Sequence, residues 1–174
     1  ADALDDYEPT KAARAIDEFV GDNLSNWYVR LNRKRFWAGE MTSDKLSAYQ
    51  TLYTCLKTIS LLMAPFAPFY ADRLYNDLCQ PAQDGDGYAS VHLAHFPESD
   101  PKLVDENLEK RMRVAQDITS AVLALRRKVN IKVRQPLQTL LVPVMDSAQR
   151  EAVEAVADLV KNEVNVKDIK IVDN

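Results

Sequence analysis

Few of the 174 residues are of types that could do chemistry, and their spacing argues against most of it. His92 and His95 are the only histidines, three positions apart. A metal or acid/base role is conceivable for such a pair, yet no carboxylate or thiol ligand pattern accompanies it, which favours surface or packing histidines. Cys55 and Cys79 sit in apolar helical contexts, with neither a His nor a second Cys at metal-ligand spacing. They read as reduced thiols packed as small hydrophobes. The acid pairs Asp5 and Asp6, Asp84 and Asp86, and Glu106 and Glu109 fit helix starts and solvated loops. Without a glycine-rich phosphate loop or a nucleophile, base and acid set, the chain is expected to hold no cofactor and to catalyse nothing alone.

Positive charge is the informative feature. Between Asn23 and Gly39 the chain carries Arg30, Arg33, Lys34 and Arg35 and no acid, interleaved with Trp27, Tyr28, Phe36 and Trp37. Helical geometry puts Arg30, Arg33, Lys34 and Trp37 on one face, roughly 100° round from Leu31. A second acid-free cluster comprises Arg126, Arg127, Lys128, Lys132 and Arg134. Cations at a helix C-terminus answer the helix dipole, but that effect fades within a turn and leaves Lys132 and Arg134 unexplained. The net charge of −4 argues against indiscriminate coating of nucleic acid, so any such contact must come from local patches. Two patches in an acidic chain point to an anionic partner, and the aromatics suit stacking on single-stranded RNA. An acidic protein partner is the rival.

The elements that must carry these patches follow from periodicity. Ile16, Val20, Leu24, Trp27 and Leu31 predict one long helix from about Thr10 to Ala38, with a first-turn Pro9 and a bend at Gly21; Trp27 is expected in its core. Thr42, Ser43 and Asp44 offer caps for a second helix reaching Pro65, with Leu46, Tyr49, Leu52, Tyr53, Leu56, Ile59 and Met63 at helical spacing. A third, shorter helix carries Phe66, Phe69, Tyr70, Leu74 and Leu78 to near Pro81. A long connection follows, with Gly85, Gly87 and Pro97 and a short extended stretch from Ser90 to Phe96. Ser99, Asp100 and Pro101 open a fourth helix with its apolar stripe at Leu108, Met112, Ala115, Ile118, Val122, Leu125 and Val129. Beyond Pro136, a strand over 137–144, a helix over 147–161 and a strand over 164–172 suggest a parallel βαβ unit. The expected architecture is mainly α: a helical bundle over 1–135 with a small α/β appendage over 136–174. Lacking a signal peptide or an apolar run long enough to span a bilayer, the chain reads as cytoplasmic and free of membrane. Its opening without Met, at Ala1-Asp2-Ala3, suggests a fragment of something longer.

The stretch from Leu24 to Trp37, Leu-Ser-Asn-Trp-Tyr-Val-Arg-Leu-Asn-Arg-Lys-Arg-Phe-Trp, closely resembles the corresponding helix of isoleucyl-tRNA synthetases. Three further stretches resemble that family in order: Leu62 to Phe69 with its Pro-Phe-Ala-Pro break, Val91 to Pro97, and Leu123 to Pro136 with its Lys-Val-Arg-Gln-Pro turn. The likeness extends to about Leu141. The proline-broken segment is shared with valyl and leucyl enzymes, so a related specificity is an alternative; the Trp-Tyr-Val-Arg stretch and the basic turn favour isoleucine. The resemblance implies an anticodon-binding domain, monomeric, that grips a tRNA anticodon stem-loop, within an enzyme ligating isoleucine to tRNA with ATP. It implies that Arg30, Arg33, Lys34, Arg35 and Trp37 line the RNA-facing side of the first helix, and that Arg126, Arg127, Lys128, Lys132 and Arg134 form the other wall. The family's His-Ile-Gly-His and Lys-Met-Ser-Lys-Ser signatures are absent from this chain.

Overall fold

The computed structural model describes residues 2–37, 39–82 and 88–173. The expectations placed on Asp84, Gly85, Asp86 and Gly87, and the helix end at Ala38, lie outside them. The chain divides into two compact units, Ala1–Ser99 and Asp100–Asn174.

The first unit is helical. A single turn, α1 (Asp2–Asp5), precedes α2 (Pro9–Glu18), which opens on its first-turn proline. The predicted long helix does not keep one pitch. From Phe19 to Val29 the backbone widens to a π-helix, where Gly21, Asp22, Asn23, Ser25 and Asn26 are weak formers of the tighter α-helix. A turn at Asn32, whose side-chain amide donates to Tyr28 O at 2.8 Å, leads into the short α3 (Arg33–Trp37). The long α4 (Ser43–Met63) starts at Thr42, whose hydroxyl accepts from Lys45 N, and α5 (Pro68–Ala82) packs against it. Ala71, Tyr75 and Cys79 on α5 form a buried cluster with Val91, and Leu61, Met63 and Ala64 from the end of α4 close over it. Cys55 and Cys79 are free thiols, and desolvation pushes the half-buried Cys55 up.

The expected extended stretch at Ser90 is instead a 3-10 turn, Val91–Leu93. The Asp72 carboxylate explains it: it accepts from the Ser90 hydroxyl at 2.6 Å and from Val91 N at 3.0 Å, drawing the chain onto α5. His92 and His95 are exposed beside it, His95 edge-on to Tyr88.

In the second unit, Pro101–Leu103 is a separate 3-10 turn, and α6 (Glu106–Lys128) begins later than predicted. Asp105 sets that start by accepting from Asn107 N and Leu108 N. The strand β1 (Leu137–Val144), the helix α7 (Ser147–Val164) and the strand β2 (Val166–Asp173) follow, β1 and β2 pairing in parallel with Leu137 opposite Val166 and Val144 opposite Asp173. Asp146 caps α7 at its start, and Asn165, left-handed at φ 52°, ends it. Val142 and Val144 of β1 and Val153 of α7 form the core, with Val114 and Ile118 of α6 and Ile169 and Ile171 of β2 packed on it. The long α6 thus packs on α7. The βαβ segment recognised from the sequence therefore has a helical layer covering its apolar face.

Candidate nucleic-acid interface

The first basic cluster is positioned by aromatic packing between α3 and α4. Phe36, 7% exposed, is the buried side chain of α3 and meets the Tyr28 ring edge-on at 6.2 Å and the Tyr49 ring at 5.2 Å. The Tyr49 hydroxyl donates to Phe36 O at 3.0 Å, and the Tyr28 hydroxyl donates to Ala48 O at 2.9 Å. These contacts fix which way α3 faces. Because successive helical residues point about 100° apart, burying Phe36 leaves Arg33, Lys34 and Trp37 on the outer surface.

The five side chains singled out here have different fates. Trp37 is 75% exposed, and the Arg33 guanidinium lies 4.7 Å from its ring centroid. The two form a cation–π pair that presents a flat aromatic surface beside a positive charge. Lys34 is exposed. Arg30 is exposed too, its Nε donating to Asn26 O at 2.8 Å. Arg35 is half-buried and differently employed: Nε and Nη2 hold both Asp44 carboxylate oxygens at 2.7 and 2.6 Å, while Nη1 donates to Asn32 Oδ1. That bidentate pair keeps the Asp44 carboxyl below the usual carboxylate range and ties α3 to the start of α4. Trp27, expected in the core, is half-buried; Leu24 and Phe36 are the buried members of the stretch.

The second cluster lies in the other unit, at the end of α6 and the turn beyond it. Arg127, Lys128, Lys132 and Arg134 are exposed. Arg126 is not: it is 3% exposed, and its two terminal nitrogens donate to four backbone carbonyls. Nη1 reaches Lys132 O at 3.2 Å and Gln135 O at 3.0 Å; Nη2 reaches Val164 O at 2.8 Å and Asn165 O at 3.0 Å. A side chain so placed has no surface to offer a large polyanion. A signal for this was present in the sequence. The buried residues of α6 are Ala115, Thr119, Val122 and Arg126, spaced four, three and four, so Arg126 continues the core stripe while Leu125 and Val129 face solvent.

The Asn165 side chain is a second feature that composition did not single out. Its amide donates to Val133 O at 2.8 Å, inside the basic turn. An Asn following the last apolar position of a helix marks a left-handed cap, but not what its side chain will reach.

Among the described residues, no three His, Cys, Asp or Glu side chains gather as metal ligands would, and no helix is long and apolar enough to cross a membrane. What the geometry provides is exposed cations on ordered backbone, one of them stacked on an exposed indole. That suits phosphates and unstacked bases.

Comparison with known proteins shows the family. A family model for the anticodon-binding domain of tRNA ligase matches residues 1–141. An isoleucine–tRNA ligase of Bacteroides thetaiotaomicron is 66% identical over 168 residues, covering 97% of this chain and 14% of that protein. The isoleucine–tRNA ligase of Porphyromonas gingivalis is 61% identical over 173 residues, 99% of this chain and 15% of its own length. That of Cytophaga hutchinsonii is 53% identical over 174 residues, 100% of this chain and 16% of its own. The chain thus spans only about a sixth or less of the curated relatives it matches.

Proposed function

This chain belongs to the anticodon-binding domain family of tRNA ligases, and from that premise we propose that it grips the anticodon stem-loop of an isoleucine tRNA. Activation of isoleucine with ATP and its transfer to tRNA would be the work of the rest of a ligase like those it matches, of whose length this chain covers 14–15%. The Arg33–Trp37 pair carries the reading: a three-quarters exposed indole with a guanidinium 4.7 Å from its ring centroid offers an unstacked base a flat face beside a positive charge. Arg30 and Lys34 beside it suit the flanking phosphates. Arg127, Lys128, Lys132 and Arg134 supply a second contact surface. Arg35 contributes chiefly by holding α3 in place, and Arg126 from within.

A competition titration tests this. The chain is expected to prefer an isoleucine-tRNA anticodon stem-loop over a valine-tRNA one, with affinity that falls as salt rises, because each neutralised phosphate releases counterions. A preference for the valine loop would reassign the specificity. Salt-independent binding, or binding to an acidic peptide with none to either RNA, would overturn the RNA reading.

A further inference from the structure

We propose that Arg126 is a positioning residue. On this view it acts through the turn it organises, so that the βαβ unit serves as a brace for the basic turn 132–135. The proposal rests on the reading above, in which the exposed cations of that turn meet RNA.

Burying a guanidinium without a carboxylate is expensive, and here every hydrogen-bonding partner it has is a carbonyl. Two of those carbonyls, of Val164 and Asn165, are at the C-terminal end of α7, where unpaired C=O groups and the helix dipole concentrate negative charge. The other two, of Lys132 and Gln135, belong to the basic turn. Arg126 therefore clamps the turn to the end of α7. Asn165 adds a second clamp through Val133 O, and its own carbonyl also accepts from Leu137 N, where β1 begins. The turn is closed internally by Gln135 N donating to Lys132 O. With the carbonyls of residues 132, 133 and 135 all held inward, the side chains of Lys132 and Arg134 are left in solvent. Cations on a backbone ordered in advance lose less freedom when they meet a phosphate, which raises affinity without adding a contact.

The Asn165 clamp can be loosened without emptying a core, and the buried Arg126 clamp by a substitution that keeps its charge. Asn165→Gly tolerates φ 52° and removes only the amide that reaches Val133. Arg126→Lys keeps the charge, but its single ammonium cannot span four carbonyls. Each is made in the intact 174-residue chain, alone and together with Lys132→Ala and Arg134→Ala. Binding to the isoleucine-tRNA anticodon stem-loop and amide exchange across 131–135 are then measured, with far-ultraviolet circular dichroism as a check on folding. The expected result is faster exchange in the turn and binding weakened about three- to tenfold by Asn165→Gly. In the background lacking Lys132 and Arg134, the same change should weaken binding no further. An equal loss in both backgrounds would make the effect global and overturn the proposal. So would a loosened turn with undiminished binding. If removing Lys132 and Arg134 itself leaves RNA binding intact, the interface reading fails and the proposal with it; a loss from that pair but none from either clamp variant refutes the proposal alone.

Discussion

Replacing Arg33 and Lys34 together by Ala tests the first patch with a number attached. Both side chains are exposed, and the fold of α3 rests instead on Phe36 and on the Arg35–Asp44 pair. Exposed charges contribute within about 0.5 kcal/mol to stability, so the unfolding midpoint in urea should hardly move. Binding should change in a specific way. Each phosphate contact contributes ~0.7–0.9 to the slope of log affinity against log salt, so losing two should flatten the slope by roughly 1.4–1.8. Between ~50 and ~200 mM salt, the gap between the parent chain and the variant should therefore narrow by about seven- to twelvefold. The assay is fluorescence anisotropy of a labelled anticodon stem-loop at several salt concentrations. Arg35→Ala should behave differently: its guanidinium is already committed to Asp44, so its loss should lower affinity by loosening α3 while moving the slope less than the loss of Arg33 or Lys34. An unchanged slope in the double variant would mean these cations do not meet phosphates. A double variant that unfolds would mean that the assignment of outer and inner faces on α3 is wrong.

Two further outcomes follow from the packing and the titrating groups. Phe36→Ala removes a 7%-exposed ring between Tyr28 and Tyr49 and should cost about 3–5 kcal/mol of stability, read from chemical denaturation; a cost under 1 kcal/mol would mean that α3 is not anchored by this ring. Asp72 is held below its ordinary value of 3.8 by the hydrogen bond from Ser90 and then by that from Val91 N. Its contribution is thus present above about pH 4 and is lost as pH falls through the depressed folded value. Thermal melts at about pH 5 and pH 3 should show a smaller acid-induced drop for Asp72→Ala than for the parent chain. Equal drops would show that this carboxylate does not carry the linkage.

Taken by itself, the order of residues determined much of this protein. The apolar spacing marks where most helices and strands lie, because it is a local effect of side-chain periodicity. The cap and proline at Asp100 and Pro101, by contrast, open only a 3-10 turn, and α6 starts later, capped by Asp105. The run from Leu24 to Trp37 and the Lys-Val-Arg-Gln-Pro turn also pointed to the family. Tertiary structure decided what spacing alone leaves open. Phe36 and Trp37 are adjacent aromatics, yet one is buried and the other exposed, because only one direction on α3 meets Tyr28 and Tyr49. Arg35 and Lys34 are adjacent cations, and only the first finds Asp44, nine positions away on another helix. Arg126 reads as one more cation among five until the end of α7, 38 residues on, brings the Val164 carbonyl to its guanidinium. The physical reason is common to all three: charge and apolarity say what a side chain can pair with, while the partner comes from distant chain that only packing brings near.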